Sequence, residues 1–180
     1  MLAADLASAQ ADITEELDMK IIRCSQESRL VAPVSPQSPE ATAVWLSSMS
    51  DSGWRSLIDF RNWPNWIPGM QDVEQMDQES PARGTQLQIK NGNSQASCSI
   101  DHWDPPRCLC FSVDAAGGEL AYGFTIEVDP GESELLVTLE LERSVHGLTR
   151  LLAFLLEWRL RQMGARLLTN LTARLRPSIT

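Results

Sequence analysis

Between Asp72 and about Arg143 apolar side chains recur at every second position, and from about Gly147 to Leu175 they recur at every third or fourth. A period of two belongs to strands with one buried face, and a spacing of three and four belongs to one stripe of an α-helix. The switch between them restricts the chain more than any other feature, since a run of half-buried strands must be covered by whatever follows it. Six strands are expected, over Val73 to Gln78, Thr85 to Lys90, Ser94 to Trp103, Arg107 to Val113, Leu120 to Asp129 and Leu135 to Arg143. Between them lie Pro81-Ala-Arg-Gly84, Asn91-Gly-Asn93, Asp104-Pro-Pro106, Ala116-Gly-Gly118 and Asp129-Pro-Gly131. These supply the residues that reversals demand, so the order is that of an antiparallel meander. Tyr122, Phe124, Ile126 and Val128 alternate with Gly123, Thr125 and Glu127, and Val137, Leu139 and Leu141 alternate with Thr138, Glu140 and Glu142. One face of the sheet is therefore dry and the other wet.

The cover is the final segment. Leu148, Leu151, Leu152, Leu155, Leu156, Leu160, Met163, Leu167, Leu168, Leu171 and Leu175 form one stripe, with Pro177 ending the pattern. If unbroken, such a helix runs roughly 40 Å at 1.5 Å per residue. The stripe is wider than a strict heptad seam, which favours a core helix lying in a curved sheet over a coiled coil. Asp59 to Gly69, reading Asp-Phe-Arg-Asn-Trp-Pro-Asn-Trp-Ile-Pro-Gly, is too apolar for an ordinary loop. Its prolines stop a helix and its two tryptophans need an apolar place to lie, so it reads as a folded lid over the core.

Upstream, residues 1 to 32 carry a helical spacing of Leu2, Leu6, Ala9, Ile13 and Leu17 and then a mixed run from Ile21 to Val31. Pro33-Val-Ser-Pro-Gln-Ser-Pro39 reads as an extended linker, which places an extension over 1–40 and a domain over 41–180. Ala41 to Ser48 is expected as a first strand, with Ser50 or Asp51 capping a short helix that contains Trp54, Leu57, Ile58 and Phe60. The net charge of −9 repels phosphate backbones, and the aromatics are not interleaved with basic residues, so nucleic acid is not an expected partner. No apolar run approaches the roughly 18 residues of a membrane span, and the acidic first twenty residues show no secretory signal; a cytoplasmic location is expected. The last segment is the exception in charge: from Gly147 onward Glu157 is the only acid, against six arginines. Such a face is ordinarily solvated, and it could also meet a protein or a membrane surface.

The four cysteines show no Cys-x-x-Cys pair and no ligand spacing with the two histidines, so neither metal nor cofactor is expected. Cys98 and Cys110 would face each other in an even hairpin register. An odd register, with Ile100 opposite Leu109 and Cys98 opposite Phe111, gathers the apolar side chains on one face and is the one expected. The thiols are then free and buried.

Trp54 with Leu57-Ile-Asp-Phe60 before Trp63-Pro-Asn-Trp66-Ile-Pro-Gly69, Gly84-Thr85 opening a strand, His102-Trp-Asp-Pro-Pro-Arg107 at a hairpin, and a leucine-rich last helix with Asn170-Leu171 occur here in a telling order. From about Ala41 to Leu175 the chain resembles the START-like superfamily, also called Bet v 1-like or SRPBCC, and within it the polyketide cyclase/dehydrase and lipid-transport branch. The resemblance implies an α+β helix-grip fold, a curved antiparallel sheet of about seven strands around a long C-terminal helix. It also implies a cavity between sheet and helix that holds a small hydrophobic molecule such as a lipid, polyketide or quinone. It carries over no catalytic residue.

A curved sheet of about seven strands is wider than one helix can fill, helix diameters being about 10 to 12 Å, so space is expected beneath the lid. Ala96 and Cys98 would enlarge it. Trp66, Ile67, Met70, Ile89, Phe111, Tyr122, Phe124, Leu152 and Leu155 would line it. Trp63 reads as a plug sealing the core. Arg159 or Arg161, turned inward beside Trp158, would hold a ligand carboxylate, although such side chains ordinarily keep their charge at the surface. Gly-x-Ser-x-Gly, His-Glu-x-x-His and Gly-x-Gly-x-x-Gly are absent, which leaves His102, Asp59 and Tyr122 as candidates for proton transfer should the chain be a cyclase. Asp59 more simply accepts backbone amides in the turn it precedes. His146, beside Gly147, has no partner in a recognisable motif. The expected function is binding, sequestration or transport of a hydrophobic ligand. An aromatase/cyclase and an interaction module with a vestigial pocket are the alternatives.

Overall fold

The computed structural model describes residues 20–32, 39–76, 80–115, 118–129, 134–145 and 152–175. The spacing of Leu2 to Leu17, most of the proline linker, and His146 with Leu148 and Leu151 fall outside these. The elements in chain order are β1 (Lys20–Val31), α1 (Pro39–Ile58), a 3-10 helix (Phe60–Asn65), β2 (Asp72–Gln75), β3 (Gln86–Asn91), β4 (Ser94–Asp104), β5 (Cys108–Ala115), β6 (Gly118–Asp129), β7 (Glu134–Val145) and α2 (Ala153–Leu175). One antiparallel sheet of seven strands has the order β1-β7-β6-β5-β4-β3-β2. This is the curved sheet and terminal helix of a helix-grip α+β fold, and β2 to β7 are the six strands of the alternating region.

The seventh strand is not where the propensities put it. Residues 41–48 are helical, part of α1, because Thr42, Leu46, Met49, Gly53 and Leu57 form one buried helical stripe that overrides the β-branched Val44, which points to solvent. Ser50 and Asp51 therefore lie inside a helix and cap nothing. The missing strand is β1, which pairs with β7 along its whole length, from Lys20 opposite Val145 to Val31 opposite Glu134. The sheet thus starts upstream of Pro33, and the division at residue 40 cuts through it. The period of β1 is diluted by Gln26 and Ser28 between the inward Ile22, Cys24 and Leu30.

The hairpin of β4 and β5 has the expected parity and a different register. Ile100 faces Phe111 and Cys98 faces Val113. A tighter turn would have placed Pro106 in the ladder opposite Trp103, where its missing N–H breaks the pairing. Instead the turn closes through Arg107 N–H to the Asp104 carbonyl, at 2.7 Å, and the ladder begins at Asp104 opposite Cys108. A bulge at Asp101, between the Ile100 and His102 pairs, then restores the apolar faces. All four thiols are free, with Cys24 and Cys98 buried and Cys108 and Cys110 half-buried.

The concave face is covered in two parts. α2 lies over β1 and β7, while α1 leans on β6, β7 and α2, and the 3-10 helix packs on β2. Gly164 lets α2 approach closely: a Cβ there would stand 3.2 Å from Leu141 Cδ1 and 3.3 Å from the Gln26 carboxamide. Gln26 in turn donates to the Arg161 carbonyl at 2.7 Å, which explains a polar side chain at an inward position of β1.

Candidate functional site

The lid fills the space beneath it. Trp63 stacks on Phe111 with ring centroids 4.4 Å apart, and Phe111 stacks on Tyr122 at 4.6 Å. Phe60 meets Trp63 edge-on at 5.0 Å, and Trp66 meets Phe124 edge-on at 5.8 Å. The Trp63 indole donates to the Leu57 carbonyl at 2.8 Å, satisfying an acceptor that the end of α1 leaves open. Trp66, Ile67, Met70, Ile89, Phe111, Tyr122 and Phe124 are accordingly all core residues. Cys98 is itself buried in that core, and Ala96 packs against it.

A groove of about 450 Å³ opens beside this plug, where the inner face of the sheet meets one flank of α2. Pro68 of the lid, Leu120 of β6 and Arg143 of β7 form one side. From α2 come Leu156, Trp158, Arg159, Leu160, Gln162, Met163 and Arg166. The volume lies within the range of small-molecule sites, and the lining is apolar with a few polar ends, as such sites are. Asn170 donates to the Trp66 carbonyl at 2.9 Å and ties α2 to the lid. None of the nine residues expected to touch a ligand lines the groove. Leu152 and Leu155 are 55% and 53% exposed, because the inward stripe of α2 runs through Ala153, Leu160, Gly164, Leu167, Leu168, Leu171 and Leu175. At about 100° per residue they fall on the flank that carries Arg159 and Met163.

Arg143 is the residue the sequence reading passed over. Val137, Leu139 and Leu141 point inward, so the parity of β7 brings residue 143 to the same face. Its strand neighbours are Ile22 and Leu120, and its Nε is buried with no hydrogen-bond partner among the described residues. An arginine at a dry position of an alternating strand was the available signal. Arg161, by contrast, is tied to Glu157 at 2.7 Å on the outside of α2.

The three proton-transfer candidates are not brought to the groove. Asp59 is exposed and makes no capping bond through its side chain; its carbonyl accepts from Asn62 N–H at 2.9 Å instead. His102 is exposed, opposite Cys110. Tyr122 is buried in the aromatic stack, where loss of solvation, aided by the Cys98 thiol, drives its phenol well above the ordinary value while Arg143 pulls the other way. Among the described residues no three His, Cys, Asp or Glu side chains converge as metal ligands. A second depression, about 480 Å³, lies around Gly123 on the outer face of the sheet, rimmed by Arg23, Glu140 and Glu142. Its lining mixes apolar and polar groups, Cys24, Cys110, Tyr122 and Leu141 among them, and the Arg23–Glu142 pair, at 2.7 Å, forms part of its rim.

The family model for polyketide cyclase / dehydrase and lipid transport matches residues 51–176. Among solved structures, the Zhui aromatase/cyclase from Streptomyces sp. R1128 superposes with a TM-score of 0.59 at 12% identity, over 89% of this chain and 99% of that one. A hypothetical protein of Helicobacter pylori gives 0.60 at 12% identity, over 86% and 88%. A protein of Bacillus halodurans gives 0.58 at 13%, over 86% and 99%. At such identities the likeness is one of fold. No curated protein matches the sequence.

Proposed function

The chain belongs to the polyketide cyclase / dehydrase and lipid transport family, and from that premise we propose that it binds a small hydrophobic molecule in the groove between α2 and the β6–β7 part of the inner face. The observation that carries this is an apolar hollow of about 450 Å³ kept open beside a core that is otherwise closely packed. Among the described residues the groove lining holds no carboxylate, imidazole or thiol, so carriage or sequestration accounts for it better than cyclase chemistry. No described helix is long and apolar enough to cross a membrane, and four free thiols suit a reducing compartment, which supports action in the cytoplasm.

Native mass spectrometry of the purified protein and thermal shifts against lipids, polyketides and quinones test the reading. A ligand at a hundredfold excess over its Kd adds about 2.7 kcal/mol, a Tm rise of about 5 to 10 °C. Met163→Trp, which fills the groove, should abolish that rise. No co-purified molecule, no shift across the panel and an unchanged Met163→Trp variant would end the proposal.

A further inference from the structure

We propose that the groove selects an amphipathic oxyanion, a hydrophobic chain or ring system ending in a carboxylate or phosphate, and that Arg143 receives the charged end. This rests on the groove being a binding site. In a protein of net charge −9, the described groove lining holds three arginines and no acid. Arg159 and Arg166 come from α2, and Arg143 comes from the floor. Arg143 stands between apolar strand neighbours with a buried Nε that no described group accepts, although buried donors are nearly always paired. A guanidinium presents paired N–H groups, a fork that matches two oxygens of a carboxylate or phosphate, and because Arg143 lines the groove a turn of its side chain brings that fork to a guest there. Of the remaining lining, Leu120, Leu156, Leu160, Met163 and the Trp158 ring suit a hydrocarbon body, and the Gln162 carboxamide and the Trp158 N–H are the further hydrogen-bonding groups.

Four probes test this by calorimetry or by displacement of a fluorescent dye: dodecanoate, dodecyl phosphate, dodecanol and inorganic phosphate. Wild-type protein should bind the two anionic amphipaths at least about tenfold more tightly than dodecanol, as one hydrogen-bonded charge implies, and inorganic phosphate weakly. Arg143→Met, of similar length and without charge, should remove that preference and leave dodecanol binding in place. Arg143→Lys should keep part of it. If dodecanol binds wild type as well as the anions do, the anion inference is overturned and the groove remains a ligand site. Inorganic phosphate binding as tightly as dodecyl phosphate overturns it too, since the alkyl chain then adds nothing. If no probe binds, both this inference and the reading beneath it fail. The wild-type comparison stands even should Arg143→Met not fold.

Discussion

Trp63 and Trp66 sit three residues apart, both fully buried, and differ in one respect: the Trp63 indole N–H has an acceptor in the Leu57 carbonyl, and the Trp66 N–H has none among the described residues. Replacing each with phenylalanine should separate the two. In both cases the smaller ring forfeits a few tens of Å² of buried carbon surface, about 1 kcal/mol at about 25 cal/mol per Å². Trp63→Phe also strands a buried carbonyl at the end of α1, which adds about 1 to 3 kcal/mol, for a total of about 2 to 4. Trp66→Phe instead removes a donor that folding leaves unpaired, recovering a similar amount, so its net effect should run from about zero to about 2 kcal/mol of stabilisation. Urea unfolding followed by far-UV circular dichroism measures both, and an unchanged m-value establishes that the same transition is compared. Equal losses in the two variants, or a greater loss for Trp66→Phe, would refute hydrogen-bond state as the discriminating factor.

Two further outcomes follow from packing and charge. Gly164→Val places two methyl groups where even one Cβ stands 3.2 Å from Leu141 and 3.3 Å from Gln26; overpacking and loss of the Gln26–Arg161 bond should cost about 1 to 3 kcal/mol in urea unfolding, and a wild-type midpoint would show that α2 does not approach β1 and β7 so closely. Burial pushes the Cys98 thiol up to about 12 from an ordinary value of 9.0, so the folded state holds that proton more tightly than the unfolded chain does. Its contribution is complete below about pH 9 and is lost as the pH rises toward 12, at most about 4 kcal/mol. The urea midpoint should fall over that window, and the fall should be shallower in Cys98→Ala; identical slopes would count against a buried thiol.

For function, the position of the groove matters as much as its existence. α2 covers the β1–β7 side of the concave face, α1 and the aromatic plug cover the rest, and the opening lies where α2 meets β6, β7 and Pro68 of the lid. The apolar surface continues outward from it. Trp158 lines the groove yet is 56% exposed, and Leu152 and Leu155 extend the same flank. A hydrophobic guest entering along α2 would meet carbon surface before reaching Arg143.

The local pattern was enough for β2 to β7 and for α2, since period and turn chemistry are properties of neighbouring residues: Tyr122 to Val128 can alternate only as a strand, and Leu160 to Leu175 can gather only as a helix. It was enough, too, for the lid to be recognised as buried. Tertiary structure decided what depends on distant partners. β1 is a strand because β7 offers it a free edge, and Gln26 points inward because α2 offers it a carbonyl. Residues 41–48 are helical because Leu46, Met49 and Leu57 find the inner face together. The aromatic side chains were placed in the same way: their contacts with one another put them in a stack within the core and not along the groove. Sequence parity places Arg143 on the inner face; only the packing around it leaves its Nε buried and without a partner at the edge of an open groove.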